Sequence, residues 1–381
     1  MAPVGKSAHG FSVRPIRVLV APTVGKSAHE FSVCVRPGDP GLQRSRAPEM
    51  VYSEPRKVES KWFTKFESGL PDLTGKVVAI TGCTTGTGFV CALTCARKGA
   101  HLVMLNRNSS RSSDAERRIK DAAPGATVET IECDLMSFAS TRAAVASLTQ
   151  KFSVNGLDVL CCNAGVMALE DVATTDGFDV QIQTNHLSHF LLTKETFPLL
   201  EKAASLRGEA RIVNHSSGAR HMTRGLEKKY FGPNGGHLGG NSSSMLCGGA
   251  RWVRYSQTKL ANSVWTQALH ARLAACGSKV KAVCAAPGLA ATNLQVTTHQ
   301  NGGMKETWIM RFAQSAEDGT MPLLQCCIGS GVASGAFIEP SGTGNMWGPP
   351  TEVRLTKKEN DPASMEMLWA ASEIACGEWK L

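Results

Sequence analysis

Tyrosine is scarce in this chain, acid is missing from two stretches where it would matter, and no long apolar run occurs. Only three tyrosines are found in 381 residues: Tyr52, Tyr230 and Tyr255. No apolar stretch reaches the ~18 residues that a membrane-spanning helix needs, which leaves peripheral attachment as the most a bilayer could offer. No C-x-x-C pair exists. The thirteen cysteines are scattered, odd in number and often set inside apolar runs (Cys133, Cys161, Cys162, Cys284), where cysteine behaves as a small hydrophobe. This points to a reducing compartment, cytoplasmic or organellar rather than secreted, and to no metal site. Cys91 and Cys95 share helical spacing without a second pair, and His186 and His189 lack a third ligand. The net charge of +9 comes without a basic block or an aromatic platform, which argues against a nucleic-acid partner.

The first acid-poor stretch is the N-terminus. No Asp or Glu precedes Glu30, whereas Lys6, Arg14, Arg17 and Lys26 do. Two readings stay open, an organelle transit peptide and a disordered leader rich in proline and glycine. The segment from Val4 to Val13 recurs almost unchanged from Val24 to Val33. Its Gly-Lys-Ser triplets lack the upstream glycine of a phosphate loop, Val20 standing there in the second copy. Residues 1–72 are therefore set apart as an extension, and 73–381 as one domain.

Within that domain apolar, β-branched runs alternate with helical stretches. Strands are expected at Lys76–Thr81, His101–Asn106, Thr127–Cys133, Leu157–Cys162, Arg211–His215, Lys279–Ala285 and Ala336–Glu339. Such alternation predicts an α/β fold, a parallel sheet of about seven strands with helices on both faces. The stretch 218–254 is rich in glycine and serine and reads as a long insertion, either a lid or a disordered loop.

What is present centres on Tyr255, the only tyrosine with a lysine four positions on, Lys259. On a helix these two share a face. A phenol titrates near 10 and needs about 4 kcal/mol of differential stabilisation to reach neutrality. One ammonium at ~5 Å supplies roughly 3 kcal/mol at an effective dielectric of ~20. A sheltered Lys259 and a second positive charge would then suffice.

Upstream, the first strand runs into Gly82-Cys83-Thr84-Thr85-Gly86-Thr87-Gly88 and then a helical stretch. A glycine-rich strand-to-helix turn brings backbone N–H groups to a pyrophosphate. Cys83, inside the turn, is a candidate for oxidation if exposed. The strand at 157–162 ends in Asn163-Ala164-Gly165, Asn185 opens Asn-His-Leu-Ser-His-Phe, the strand at 211–215 ends in Ser216-Ser217, and Pro287-Gly288 follows another strand with Thr292 four residues on. This ordered set resembles the short-chain dehydrogenase/reductase family, and its wording is similar to the retinol-dehydrogenase-like branch with its WW-domain oxidoreductase and protochlorophyllide reductase relatives. The resemblance runs from about Leu73 to the C-terminus.

It implies a Rossmann-type doubly wound sheet and a catalytic set of Asn185, Ser217, Tyr255 and Lys259. By the same resemblance Gly82, Thr84, Thr85, Gly86 and Gly88 cradle the dinucleotide, Asp134-Leu135 meet the adenine, and Asn163-Ala164-Gly165 line the ribose side. Pro287, Gly288 and Thr292 hold the nicotinamide end. The second acid-poor stretch bears on cofactor choice. NAD sites normally carry a carboxylate after the second strand, yet none occurs between His101 and Ser113, and Arg107 stands there. A guanidinium suits the 2′-phosphate of NADP(H), with Arg111 as a second contact. The expected activity is NADP(H)-dependent exchange of hydride with a carbonyl or alcohol of a lipophilic small molecule, retinoid-, steroid- or isoprenoid-like. The alternative is an NADP(H)-sensing binding protein with little catalysis. The family's habit of pairing helices also leaves a homo-oligomer open.

Overall fold

The computed structural model describes residues 57–245, 248–292, 294 and 311–381. The leader, its repeat and Tyr52 lie outside them. Eight strands form one sheet: β1 Val77–Thr81, β2 His101–Asn106, β3 Val128–Glu132, β4 Val159–Cys162, β5 Ala210–His215, β6 Val280–Ala285, β7 Phe337–Pro340 and β8 Pro350–Glu352. Their order is β3-β2-β1-β4-β5-β6-β7-β8. The first seven pair in parallel; β8 pairs antiparallel with β7. This eighth strand is the one element the expected seven omit, because three residues beginning with a proline carry no strand pattern.

The described helices are α1 Phe63–Ser68, α2 Gly86–Arg97, α3 Ser110–Ala122, α4 Phe138–Phe152, α5 Val180–Ile182, α6 Ser188–Arg207, α7 Ala250–Ala275, α8 Ala316–Ile328 and α9 Pro362–Cys376. A π-helical turn, Gln183–Leu187, joins α5 to α6. Successive side chains of a strand point to opposite faces, and β1 shows the consequence. Val77 and Ala79 enter the core under α4, α6, α7 and α9, while Val78 and Ile80 enter the core under α1, α2, α3 and α8. Every residue of β1 is buried. Burial on both faces is why these strands read as continuous apolar runs rather than alternating ones.

Ordered packing starts before Leu73. The carboxylate of Asp318, in the first turn of α8, accepts from Ser60 Oγ (2.8 Å) and from the backbone N–H of Lys61 (2.8 Å), Trp62 (3.0 Å) and Phe63 (3.0 Å). Phe63 and Leu70 are buried in the α2/α8 core. The expected boundary at 72/73 therefore falls too late, since no sequence pattern reveals a carboxylate more than 250 positions away.

β2 and β4 flank β1 on opposite sides. The chain thus turns outward in both directions from β1, and a crevice opens above the carboxyl ends of β1 and β4, where doubly wound sheets bind ligands.

Candidate active site

The loop after β1 is shaped by close approach. Gly82 has φ of +71°, and a Cβ there would lie 2.9 Å from Ala164 Cα. A Cβ on Gly88 would meet Gly82 O at 2.2 Å and Asn163 Nδ2 at 2.4 Å. These two glycines let the turn lie flat on the Asn163-Ala164-Gly165 loop. Gly86, with φ of +58°, opens α2 and faces the Thr292 side chain. The first-turn N–H groups of a helix have no partner within it, so this turn offers donors with no side chain covering them.

Those donors face a cleft of about 310 Å³. Its wall includes Gly82, Thr84, Thr85, Gly86 and Gly88 on one side and Arg107, Asp134 and Leu135 beyond β2 and β3. Asn163, Ala164, Gly165, Pro287, Gly288 and Thr292 close the other side. At the tip of β2, Asn106 is no ribose ligand: its Oδ1 accepts from Cys83 N (2.8 Å) and its Nδ2 donates to Ser112 Oγ (3.1 Å). Arg107, exposed at the cleft mouth, is the charged group at this position. Asn163 turns out to be a clip. Its Nδ2 donates to Thr81 O (2.8 Å) and Gly82 O (3.2 Å), and its Oδ1 meets Thr87 Oγ1 (3.2 Å) and His215 Nδ1 (2.9 Å). The glycine cradle and the uncovered helix start fit the diphosphate of a dinucleotide.

Ser217, Tyr255 and Lys259 share the cleft's far wall. The two serines after β5 are separated by their partners. Ser216 is buried, its Oγ donating to Lys259 O (2.7 Å), whereas Ser217 is half-buried, its Oγ accepting from Ala219 N (3.3 Å) and lying near enough to Tyr255 to lower its pKa. Lys259 Nζ donates to His215 O at 3.0 Å and sits 5.7 Å from the centre of the Tyr255 ring. Burial dominates both groups. It pushes the phenol up to about 12, against the pull of the nearby Ser217 hydroxyl, and pushes the ammonium down to about 8. The acidic phenol expected from the Tyr255–Lys259 spacing is therefore not what the protein alone produces. Residue spacing shows the attraction but not the desolvation, which favours the uncharged form of both partners.

The family model for short chain dehydrogenases matches residues 76–232, from the start of β1 to beyond Ser217. Human polyprenol dehydrogenase is 34% identical over 230 residues, 60% of this chain and 64% of that protein. The chloroplastic short-chain dehydrogenase TIC 32 A of Brassica napus is 32% identical over 237 residues, 61% of this chain and 69% of its own length. A solved, uncharacterised protein from Mycobacterium paratuberculosis superposes with a TM-score of 0.64 at 28% identity, covering 85% of this chain and all of that one. The chain belongs to the short-chain dehydrogenase family. It spans just under two thirds of the human relative's length.

Among the four residues that the family pattern nominates for catalysis, Asn185 alone is off the cleft wall. It is fully buried in the π-helical turn. Its side chain brackets the backbone of one residue, accepting from Val166 N (2.8 Å) and donating to Val166 O (2.9 Å), and also donates to Thr258 Oγ1 (3.0 Å). Both N–H groups of that amide are used and its oxygen takes one bond, from Val166 N; its backbone oxygen, bonded to His189 Nδ1 at 3.2 Å, lies on another path. His189 continues to Thr81 Oγ1 (2.9 Å), which accepts from Ala164 N (2.9 Å). His186 instead packs against Trp265 and bonds Ser372. The two histidines are apart in role, and burial holds both uncharged, pushed down to about 3 for His186 and about 4 for His189.

Three expectations of this dehydrogenase sequence need correction or extension. Cys83 is fully buried in the turn, its thiol raised by burial and bonded to Ile80 O, so it is shielded from oxidants. Cys91 has partners that linear spacing does not show: its Sγ and those of Cys161 and Cys327 lie within 4.8 Å of one another, all buried. They come from α2, β4 and α8 and sit in apolar packing. The insertion after Ser217 is ordered through the described residues 218–245, with Tyr230, Phe231 and Leu238 in the main core. Met167, Leu169, Thr184 and His215 also line the cleft; none carries a sequence signal of its own.

Proposed function

We propose that this chain is an NADP(H)-dependent oxidoreductase acting on a carbonyl or alcohol of a small lipophilic molecule. The observation that carries the reading is the placing of Ser217, Tyr255 and Lys259 on the wall of the cleft that the glycine turn opens into. A bound nicotinamide dinucleotide supplies or accepts the hydride. Tyr255, protonated at neutral pH with its phenol at about 12, is poised to give its proton to the substrate oxygen, which is general-acid catalysis. Ser217, beside that phenol on the cleft wall, polarises the same oxygen, a role whose removal typically costs ~10²–10³ in rate. Lys259, charged below about 8, offsets the phenolate left behind. Asn185 holds the backbone of Val166, a residue of the cleft wall. In the cofactor-free protein burial holds the phenol protonated, the form that donates in carbonyl reduction.

A lipophilic substrate is supported by the surroundings of Tyr255. Met167, Ala168 and Trp252 pack with it, and Ala219, Met245 and Leu294 adjoin them. Those side chains offer dispersion and few directed bonds, which suits an apolar chain or ring. The name polyprenol dehydrogenase points the same way for the human relative. Arg107 supports NADP(H) over NAD(H) through its guanidinium at the tip of β2, where a carboxylate would otherwise receive a ribose hydroxyl.

The test is a turnover screen of apolar aldehydes, ketones and alcohols with NADPH and NADH in parallel. NADPH preference that Arg107→Ala abolishes supports the assignment. NADH preference in the unmodified protein removes it.

A further inference from the structure

Arg254, the residue before Tyr255, is completely buried and faces away from the cleft wall. Its guanidinium gathers three separate segments. Nη1 donates to Gly240 O (2.8 Å) and Leu238 O (3.4 Å) in the insertion, and Nη2 donates to Leu169 O (3.1 Å). Asp179 Oδ2 lies 3.0 Å from Nε and Asp171 Oδ2 lies 3.8 Å from Nη1. Each carboxylate organises a segment of its own. Asp171 accepts from the N–H groups of Gly236 (2.8 Å), Leu238 (2.6 Å) and Gly240 (3.2 Å). Asp179 caps the entry to the Asn185 turn, accepting from Gln181 N (2.9 Å) and Ile182 N (3.1 Å).

Neighbouring residues of α7 grip the same insertion. Trp252 Nε1 donates to Ser243 O (3.1 Å), and its ring meets the Tyr255 ring edge-on at 6.0 Å. Gln257 Nε2 donates to Thr223 Oγ1 and Gly225 O, both at 2.9 Å. Trp252 and Arg254 before Tyr255, and Gln257 after it, are thus bonded to the 223–243 stretch. Arg251 makes a comparable set, to Asn241 O (3.0 Å), Glu170 Oε1 (2.8 Å) and, through its own carbonyl, Gln181 Nε2 (3.2 Å), but Arg254 is the completely buried guanidinium that joins that stretch, Leu169 and Asp179.

We infer that Arg254 is a positioning residue: it cages the insertion and the Asn185 turn onto the helix turn that carries Tyr255, and so fixes the phenol against Ser217. A buried ion pair is weak evidence for stability by itself; fixing one arrangement among several is its better-attested use. Here the fork of a guanidinium is needed, because three carbonyls and two carboxylates approach from different directions, and an ammonium reaches fewer of them. Misplacing a reacting group by about 1 Å costs on the order of 10²-fold in rate, so loosening the cage acts on turnover before it acts on cofactor binding.

This inference rests on Tyr255 as the proton donor, and its test separates the two. Arg254→Lys and Asp171→Asn are compared with the unmodified protein and with Tyr255→Phe. The readouts are NADPH binding by fluorescence, hydrogen exchange of segments 169–171 and 236–243, and turnover of the apolar aldehyde the unmodified chain reduces fastest, all-trans-retinal being the first probe. Both cage variants are expected to melt cooperatively and bind NADPH with unchanged affinity. Exchange in the two segments should rise at least about tenfold, and kcat should fall by about 10–10² with the KM for NADPH unmoved. Full turnover with a freed insertion overturns the inference. So does exchange that does not change, or failure of both variants to fold, which would make the cage a stability element and nothing more. Turnover that survives Tyr255→Phe sinks the functional reading instead, whatever the cage variants do.

Discussion

The ammonium of Lys259 donates to the carbonyl oxygen of His215 at 3.0 Å, and that oxygen also accepts from Asn262 Nδ2 at 3.0 Å. Lys259 is therefore not required to satisfy the end of β5. The buried ammonium is also a group of the cleft wall. Desolvation brings the group down to about 8.

One consequence is a gain in stability at the expense of turnover. The folded pKa of Lys259 lies below the ordinary 10.5, so between pH ~8 and ~10.5 the unfolded chain holds more protons than the folded one. Its contribution to stability is then most unfavourable below pH ~8 and improves as pH rises through that window, by roughly 3 kcal/mol in all. Lys259→Met should raise the urea midpoint at pH 7, by about 1–3 kcal/mol of stability, and abolish turnover. A lowered midpoint would show that the ammonium stabilises the fold.

The same group sets a pH limit on reduction. Tyr255 stays protonated to about 12 while Lys259 loses its charge near 8. In the free enzyme kcat/KM reports such groups. Carbonyl reduction should thus hold steady up to neutrality and decline above pH ~8, with the decline absent from Lys259→Arg if that variant retains activity. A profile rising with pH would contradict proton donation by a neutral phenol.

Gly88→Ala tests the glycine turn. The new methyl would meet Gly82 O and Asn163 Nδ2 well inside contact distance, and both are held by the clip on Asn163. The expected cost is about 3 kcal/mol, at the upper end for overpacking, together with loss of NADPH binding, read by denaturant unfolding and fluorescence titration.

Arg220 secures the other end of the insertion. It makes two bonds to Glu339 (2.8 and 2.7 Å) and one to Glu359 (2.7 Å), with all three side chains nearly inaccessible. Arg220→Met strands two buried carboxylates and should cost about 3–5 kcal/mol. The deficit should shrink on acidification, as the orphaned acids take up protons.

Alkylation under native conditions should label Cys276, the one exposed cysteine among the described residues, and spare the buried cysteines there. Modification of Cys83 or Cys91 without unfolding would mean that the glycine turn or the α2 core opens readily.

Much of this was legible in the chain. Strands buried on both faces announce themselves as unbroken apolar runs, and β1 through β7 lie where those runs are. The glycine turn, Ser217, Tyr255 and Lys259 stand on one cleft because strand ends and a helix face carry them, and both are local patterns. What stayed hidden depends on contacts across the chain. The insertion at 218–254 reads as a lid or a disordered loop from its glycine and serine, yet Asp171 and Gln257 from outside it, and Arg254 at its end on α7, pin its described residues. Asn185 looks like a residue on the cleft because spacing cannot show the π-helical turn that directs its amide to Val166. The phenol of Tyr255 looks acidic because spacing shows its lysine and not its burial.

The central claim is that Tyr255 moves the proton in a cleft built for a nicotinamide dinucleotide. Its most direct test is Tyr255→Phe, compared with the unmodified protein for NADPH binding and for single-turnover reduction of an apolar aldehyde. The account predicts that binding is retained and that the chemical step falls by at least about 10². Binding retained together with an undiminished chemical step would contradict it.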